Sequence, residues 1–304
     1  MSSPLVTTPT KVVDNDSITI SEYFGRVASK DGTASFAVVD VHAADSAAFQ
    51  TPAFAEYVIC NSGAICLEHT DGECVTVNAG QGVFLPFGLR LKWKFPGPCN
   101  YTVVCLPAFS PELSATEDGG TIVDESSRKK LKSLHSQAAA AEPSTTTSAE
   151  AENSHLDTAA TKRAIIITPV AVVEAPGITI TEHFGHVASR DGTASLGVAV
   201  VKAASEEAWQ APQFDEFVIC SKGAIDFIHG DGQKASIKAG EGIFLPKSLR
   251  VKWVWLEAST YFVLCLPAFS PALCGREAEE GATVAKDSAS MQRLEALHQE
   301  VVGK

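Results

Sequence analysis

The hydrophobic positions of this chain fall in short runs: SFAVVDV (35–41), EYVIC (56–60), AICLEH (64–69), GVFLP (82–86), LRLKW (89–93) and YTVVCLP (101–107). DG, SG, AGQG and PG pairs punctuate them. Strand-sized, β-rich runs between turn residues predict strands, and with no long helix between them they predict an all-β barrel or sandwich. Alternation then assigns faces. Glu56, Val58 and Cys60 share one side of their strand, with Tyr57 and Ile59 on the other. Leu91 and Trp93 point inward, which leaves Arg90 and Lys92 on a solvated edge. Two segments read differently. RKKLKSLHSQ and MQRLEALHQE space Leu131/Leu134 and Leu294/Leu297 three apart, among good helix formers, and predict short helices.

The strand pattern occurs twice. Moved by 160 residues, positions 12–113 lie on 172–273 without a gap, and just over half of the aligned residues are identical. ITISEYFGRVASKDGTAS falls on ITITEHFGHVASRDGTAS, and CLPAFSP on CLPAFSP. The expected organisation is therefore a barrel over 12–113, a short helix and linker over 114–164, a second barrel over 172–273, and a tail with a short helix over 274–304. Residues 138–161 hold no aromatic and a single Leu, too little to bury, and are expected to be a disordered linker.

Composition narrows the function classes. Twenty-four Lys and Arg against thirty-six Asp and Glu give a net charge of −12 with no basic stripe, so nucleic acid is not an expected partner. No apolar run is long enough to span a membrane, and the first residues lack a signal-peptide pattern. A soluble, cytoplasmic protein with reduced thiols is expected. Of the eight cysteines, Cys60/Cys220 and Cys105/Cys265 are equivalent pairs within apolar strands, and Cys66, Cys74, Cys99 and Cys274 have no counterpart. His69 and His229 precede DG turns and are expected at the surface.

Two spaced motifs carry a family resemblance. Glu56-x6-Gly63 followed by Gly80-Q-Gly82-VFL-Pro86-F-Gly88 resembles the signature motifs of cupins. The second copy matches with Glu216, Gly223, Gly240, Gly242 and Pro246, and has Ser248 where Gly88 stands. Twice over, the pattern resembles a bicupin, and its lack of histidines is most similar to the group related to the ethanolamine-utilisation cupin. The resemblance implies tandem β-barrels that pair within the chain, with a homo-oligomer as a further option.

In the family's metal-binding members two histidines precede the glutamate and a third follows the second motif. By position these fall on Gln50, Pro52 and Leu91, and on Gln210, Pro212 and Val251. One carboxylate and one amide do not make a transition-metal site. No cofactor is therefore expected, a divalent transition metal being the alternative. The alternative metal set is His183, His186 and Glu216; residues three apart on a strand point to opposite faces, which counts against it. Candidate ligand-binding residues are Glu56 and Glu216, Gln50 and Gln210, Cys60 and Cys220, and Glu22 and Glu182. A buried carboxylate without a metal calls for a hydrogen-bond partner or a cation. The expected function is metal-free binding of a small polar or cationic metabolite. A hydrolase or lyase acting on a small nitrogenous metabolite, and a self-associating scaffold, are the alternatives; whether the protein is an enzyme stays open.

Overall fold

A computed structural model of the protein describes residues 3–141, 162–277 and 288–302. The chain forms two compact units, one of Thr10–Ile166 and the other of Met1–Pro9 with Ile167–Lys304. Each contains a seven-stranded and a four-stranded sheet.

In the first unit the larger sheet runs Ile165–Ile167, Gly82–Leu85, Ala55–Ser62, Cys99–Leu106, Ser35–Val41, Ile18–Phe24, Thr10–Asp14. The smaller runs Asp45–Gln50, Leu91–Phe95, Ala64–His69, Cys74–Asn78. The second unit repeats both orders, its larger sheet ending on Leu5–Thr7, which pairs antiparallel with Glu241–Leu245. These two terminal strands lie before the aligned segments, yet the same 160-residue shift sets Leu5–Thr7 on Ile165–Ile167 and Thr8-Pro9 on Thr168-Pro169. The repeat does not say which sheet each one joins, because a strand at a sheet edge is chosen by a partner remote in sequence.

Side chains from both sheets fill each interior. Val58, Leu67, Leu85, Leu91 and Trp93 belong to the first core, and Val218, Phe227, Leu245, Val251 and Trp253 to the second. Leu91–Phe95 alternates buried with half-buried positions, as period two requires. Gly63 closes the hairpin after Glu56 at φ +74°, where an added Cβ would lie 2.5 Å from the Pro98 carbonyl oxygen. That conformation and that crowding account for the motif glycine. Ser248 replaces Gly88 yet keeps the left-handed backbone, at φ 64°.

Three expectations need correcting. Ala138–Ala141 are not linker: they complete a 17-residue helix, Glu125–Ala141, because an alanine run extends a helix readily. The remainder of the proposed linker, 142–161, lies outside the described residues. Cys66 and Cys74 are not free thiols but a disulfide across the hairpin of Ala64–His69 and Cys74–Asn78, with Cα atoms 6.0 Å apart. His69 and His229 are buried rather than exposed. Their registers set them opposite Leu91 and Val251, so they end the inward face of their strands even as their carbonyls accept from Gly72 and Gly232 to open the turn. Tyr57 and Ile59, on the opposite face from Glu56, are as buried as it is, so Ala55–Cys60 is covered on both faces. No helix among the described residues is long and apolar enough to cross a membrane.

Candidate functional site

Glu216 sits in Asp215–Lys222, hydrogen-bonded between two strands, with Leu245 opposite on one side and Cys265 on the other. A central strand offers no exposed edge, so an inward carboxyl here meets solvent only by way of the barrel interior. Glu216 is 7% exposed and makes no hydrogen bond to a described residue. Burial pushes its carboxyl from 4.5 up to about 8; Glu207 adds to the rise and Arg276 opposes it. The acid is thus held protonated at neutral pH.

A cavity of about 120 Å³ opens beside it, inside the second unit. One water needs ~10–15 Å³ by that measure, so the space suits a small organic molecule. Phe214, Trp253 and Tyr261 supply aromatic wall, the last two with ring centroids 5.5 Å apart. Met291 and Leu294 of the helix Ser288–Val302 also line it. That helix is held to the barrel by the Ser290 hydroxyl, which donates to the Glu174 carbonyl at 2.9 Å, and by Arg293, which donates to the Ala171 carbonyl at 3.0 Å and pairs with the Glu174 carboxylate.

The polar part of the lining is an ordered group. Arg276 Nη2 donates to Glu207 Oε1 at 3.2 Å, both side chains being largely buried. The Cys274 thiol donates to Gln210 Oε1 at 3.0 Å, and burial pushes that thiol up to about 12, so it stays a thiol. Gln210 bridges both Val251 and Arg276 through its backbone, which brings this tail segment onto the barrel.

The first unit differs. Glu56 is equally buried and equally raised, to about 8, by burial alone. Around it the positions of Glu207, Cys274 and Arg276 are Ala47, Ser114 and Thr116. Ser114 and Thr116 bond to each other at 3.0 Å, and no charge faces Glu56 from these three positions. The two copies share the acid and differ in everything that balances it.

The other candidates separate into groups. Glu22 and Glu182 are buried, but each accepts two backbone N–H groups at 2.8 Å, from Val27 and Ala28 and from Val187 and Ala188. They anchor the turn after their strand. Gly25 stands so close that a Cβ there would meet the Glu22 carboxyl carbon at 2.8 Å. Desolvation raises both carboxyls, against the pull of those N–H groups. Glu182 also borders the cavity. Gln210 lines the cavity, and Gln50 pairs in register with Leu91. Cys60 and Cys220 lie in the cores and away from the cavity lining, their thiols donating to carbonyls of the following turn, Ser62 and Gly63 or Lys222 and Gly223. His183 is buried without a partner for Nδ1, and burial lowers it to about 4. His186 turns to His298, ring centroids 6.1 Å apart.

At the positions where the resemblance implies a metal, the residues do not fit one. Leu91 and Val251 are core hydrocarbon, and the Gln210 amide oxygen already accepts the Cys274 thiol. No group of three or more His, Cys, Asp or Glu among the described residues is arranged to hold a metal ion.

Sequence reasoning missed Glu207, Cys274 and Arg276. The signal was present: the repeat continues past 273, with CGRE (274–277) on SATE (114–117). Arg90 and Arg250 confirm that extension, bonding Glu117 at 2.7 Å and Glu277 at 2.6 Å.

With this geometry in hand, the fold is that of the bicupins, two cupin-type barrels in one chain. Oxalate decarboxylase from Bacillus subtilis superposes with a TM-score of 0.60 at 10% identity, over 88% of this chain and 76% of that one. The coconut allergen cocosin gives 0.59 at 10% identity, over 88% and 86%. No family model matches the sequence. Endoribonuclease YbeY of Myxococcus xanthus (strain DK1622) is 31% identical over 105 residues, 34% of this chain. The match spans about a third of that curated relative's length, 35%.

Proposed function

We propose that the second barrel binds a small polar or cationic metabolite without a metal, in keeping with the histidine-free cupins that its motifs resemble. The observation that carries this reading is Glu216: a carboxyl in an apolar interior, unbonded by the described residues and facing a cavity. A buried polar group without a partner is costly and calls for one. The first barrel keeps the acid without Glu207 and Arg276, so the second barrel is the binding-competent copy. A thermal-shift screen of small amines, alcohols, amides, sugars and acids tests this, since a ligand of the folded state raises the melting temperature. Hits that vanish in Glu216→Gln and persist in Glu56→Gln support it; hits indifferent to Glu216→Gln overturn it.

One feature favours a second reading. An acid titrating near 8 next to a buried arginine is poised for proton transfer, as in a hydrolase or lyase. Oxalate decarboxylase shares the fold, though that likeness extends to the fold alone. Turnover of a screened ligand, lost in Glu216→Gln while binding remains, would select catalysis. The acidic chain, at −12, counts against carrying the ribonuclease name of the partial relative across.

A further inference from the structure

We infer that the ligand of the second barrel is a small organic monocation carrying an oxygen acceptor, whose positive charge is taken by ionised Glu216. This rests on the reading that the barrel binds a small molecule and goes further by fixing the charge.

In a site lined mostly by apolar groups, net charge decides which ligand is admitted. Arg276 and Glu207 neutralise each other at 3.2 Å. With Glu216 protonated the group is neutral. An incoming anion would leave it with a net negative charge in an apolar interior, the costliest outcome. An incoming cation releases the Glu216 proton and leaves two positive and two negative charges. Aromatic rings lie in the same wall, Trp253 and Tyr261, and a ring presenting its face to the ligand would attract a cation further. Several other polar groups of the lining offer donors. The Gln210 amide NH₂ and the Tyr261 hydroxyl make no hydrogen bond to a described residue, and Arg276 has five N–H donors. An oxygen on the ligand would use them.

Other titratable groups face Glu216 and do not compete for this role. Cys265 and Tyr261 are held neutral by burial, as is Cys274. Glu182 is engaged with the Val187 and Ala188 amides. Glu207 and Arg276 act on Glu216 in opposite senses. Binding of a cation is therefore linked to loss of one proton from Glu216, and it strengthens as pH rises towards about 8 and then levels.

The test uses the full chain and three matched probes: 3-amino-1-propanol, 1,3-propanediol and 3-hydroxypropionate. Titration calorimetry at pH 6 and pH 8.5, in two buffers of different ionisation enthalpy, reads affinity and proton release together. The amino alcohol should bind roughly a hundredfold more weakly at pH 6 than at the plateau, a factor of ten for each step in pH below the Glu216 titration. It should release close to one proton at pH 6, and both effects should disappear in Glu216→Gln but not in Glu56→Gln. The proton count is read on the unsubstituted protein, so it stands even if Glu216→Gln folds poorly. Binding of the diol with no pH dependence overturns the cation and leaves the small-molecule reading in place. Binding of the acid, weakening as pH rises, overturns it likewise. If none of the three binds, the cation class falls; the wider screen then decides separately whether the barrel binds anything.

Discussion

Arg276 donates to Glu207 at 3.2 Å inside the second barrel, whereas the first has Thr116 and Ala47 at those positions. The pair is what makes two duplicated barrels chemically unequal. Removing one partner of a buried pair strands the other, so Glu207→Ala should destabilise the protein by about 3–5 kcal/mol. The double variant Glu207→Ala/Arg276→Thr, which copies the first barrel, should recover most of that loss. Urea denaturation of both variants checks it; a double variant as unstable as the single would mean the pair does more than balance charge.

Stability should fall as the solution becomes alkaline. Glu56 and Glu216 are both raised from 4.5 to about 8 by burial. Between those values the folded chain keeps a proton on each that the unfolded chain releases. The stabilisation is complete below about pH 4.5 and is lost as pH rises through about 8. A tenfold change in proton affinity corresponds to about 1.4 kcal/mol, so each site amounts to a few kcal/mol. Glu56→Gln should therefore be more stable than the parent at pH 8.5 and little changed at pH 4. Equal effects at both values would mean Glu56 is not the buried acid described.

The hairpin that follows each Glu strand offers an internal control. Cys66–Cys74 in the first copy corresponds to Asp226–Lys234 in the second, an ion pair at 2.9 Å. A disulfide closing so short a loop contributes about 2–3 kcal/mol in the chain-entropy account, and a partly exposed ion pair about 0–1. Reductant should lower the melting temperature of the first barrel, and Cys66→Asp/Cys74→Lys should make the protein insensitive to reductant. Such a bond also persists in oxidising surroundings and is reduced in the cytosol, which sets it against the cytoplasmic expectation. Mass spectrometry of alkylated protein, with and without prior reduction, reads it directly.

Metal should be dispensable. With hydrocarbon at Leu91 and Val251 and the Gln210 oxygen already occupied, too few donors converge on either glutamate. Protein purified without added metal should contain far less than one equivalent, and chelator should leave its melting temperature unchanged. A stoichiometric metal, lost together with stability in Glu216→Ala, would reverse this and bring the enzymatic reading forward.

Local rules made much of the architecture legible. Period-two patterning, turn glycines such as Gly63 and the duplication all act over a few residues or by direct comparison, so strands, faces and two barrels could be read from the chain. The inward direction of Leu91 and Trp93 followed from alternation, and that of Glu56 from the cupin resemblance. What alternation cannot give is partnership between distant segments. Leu5–Thr7 completes the second unit's larger sheet, and Arg276, beyond the end of the aligned repeat, reaches Glu207 some seventy positions earlier. Glu22 looked like Glu56 in sequence, an acid among apolar neighbours; only the fold brought the Val27 and Ala28 amides to it and left Glu56 with none. Chain order dictates which face a side chain takes, but its charge state depends on what other strands bring within a few ångströms in a largely apolar interior.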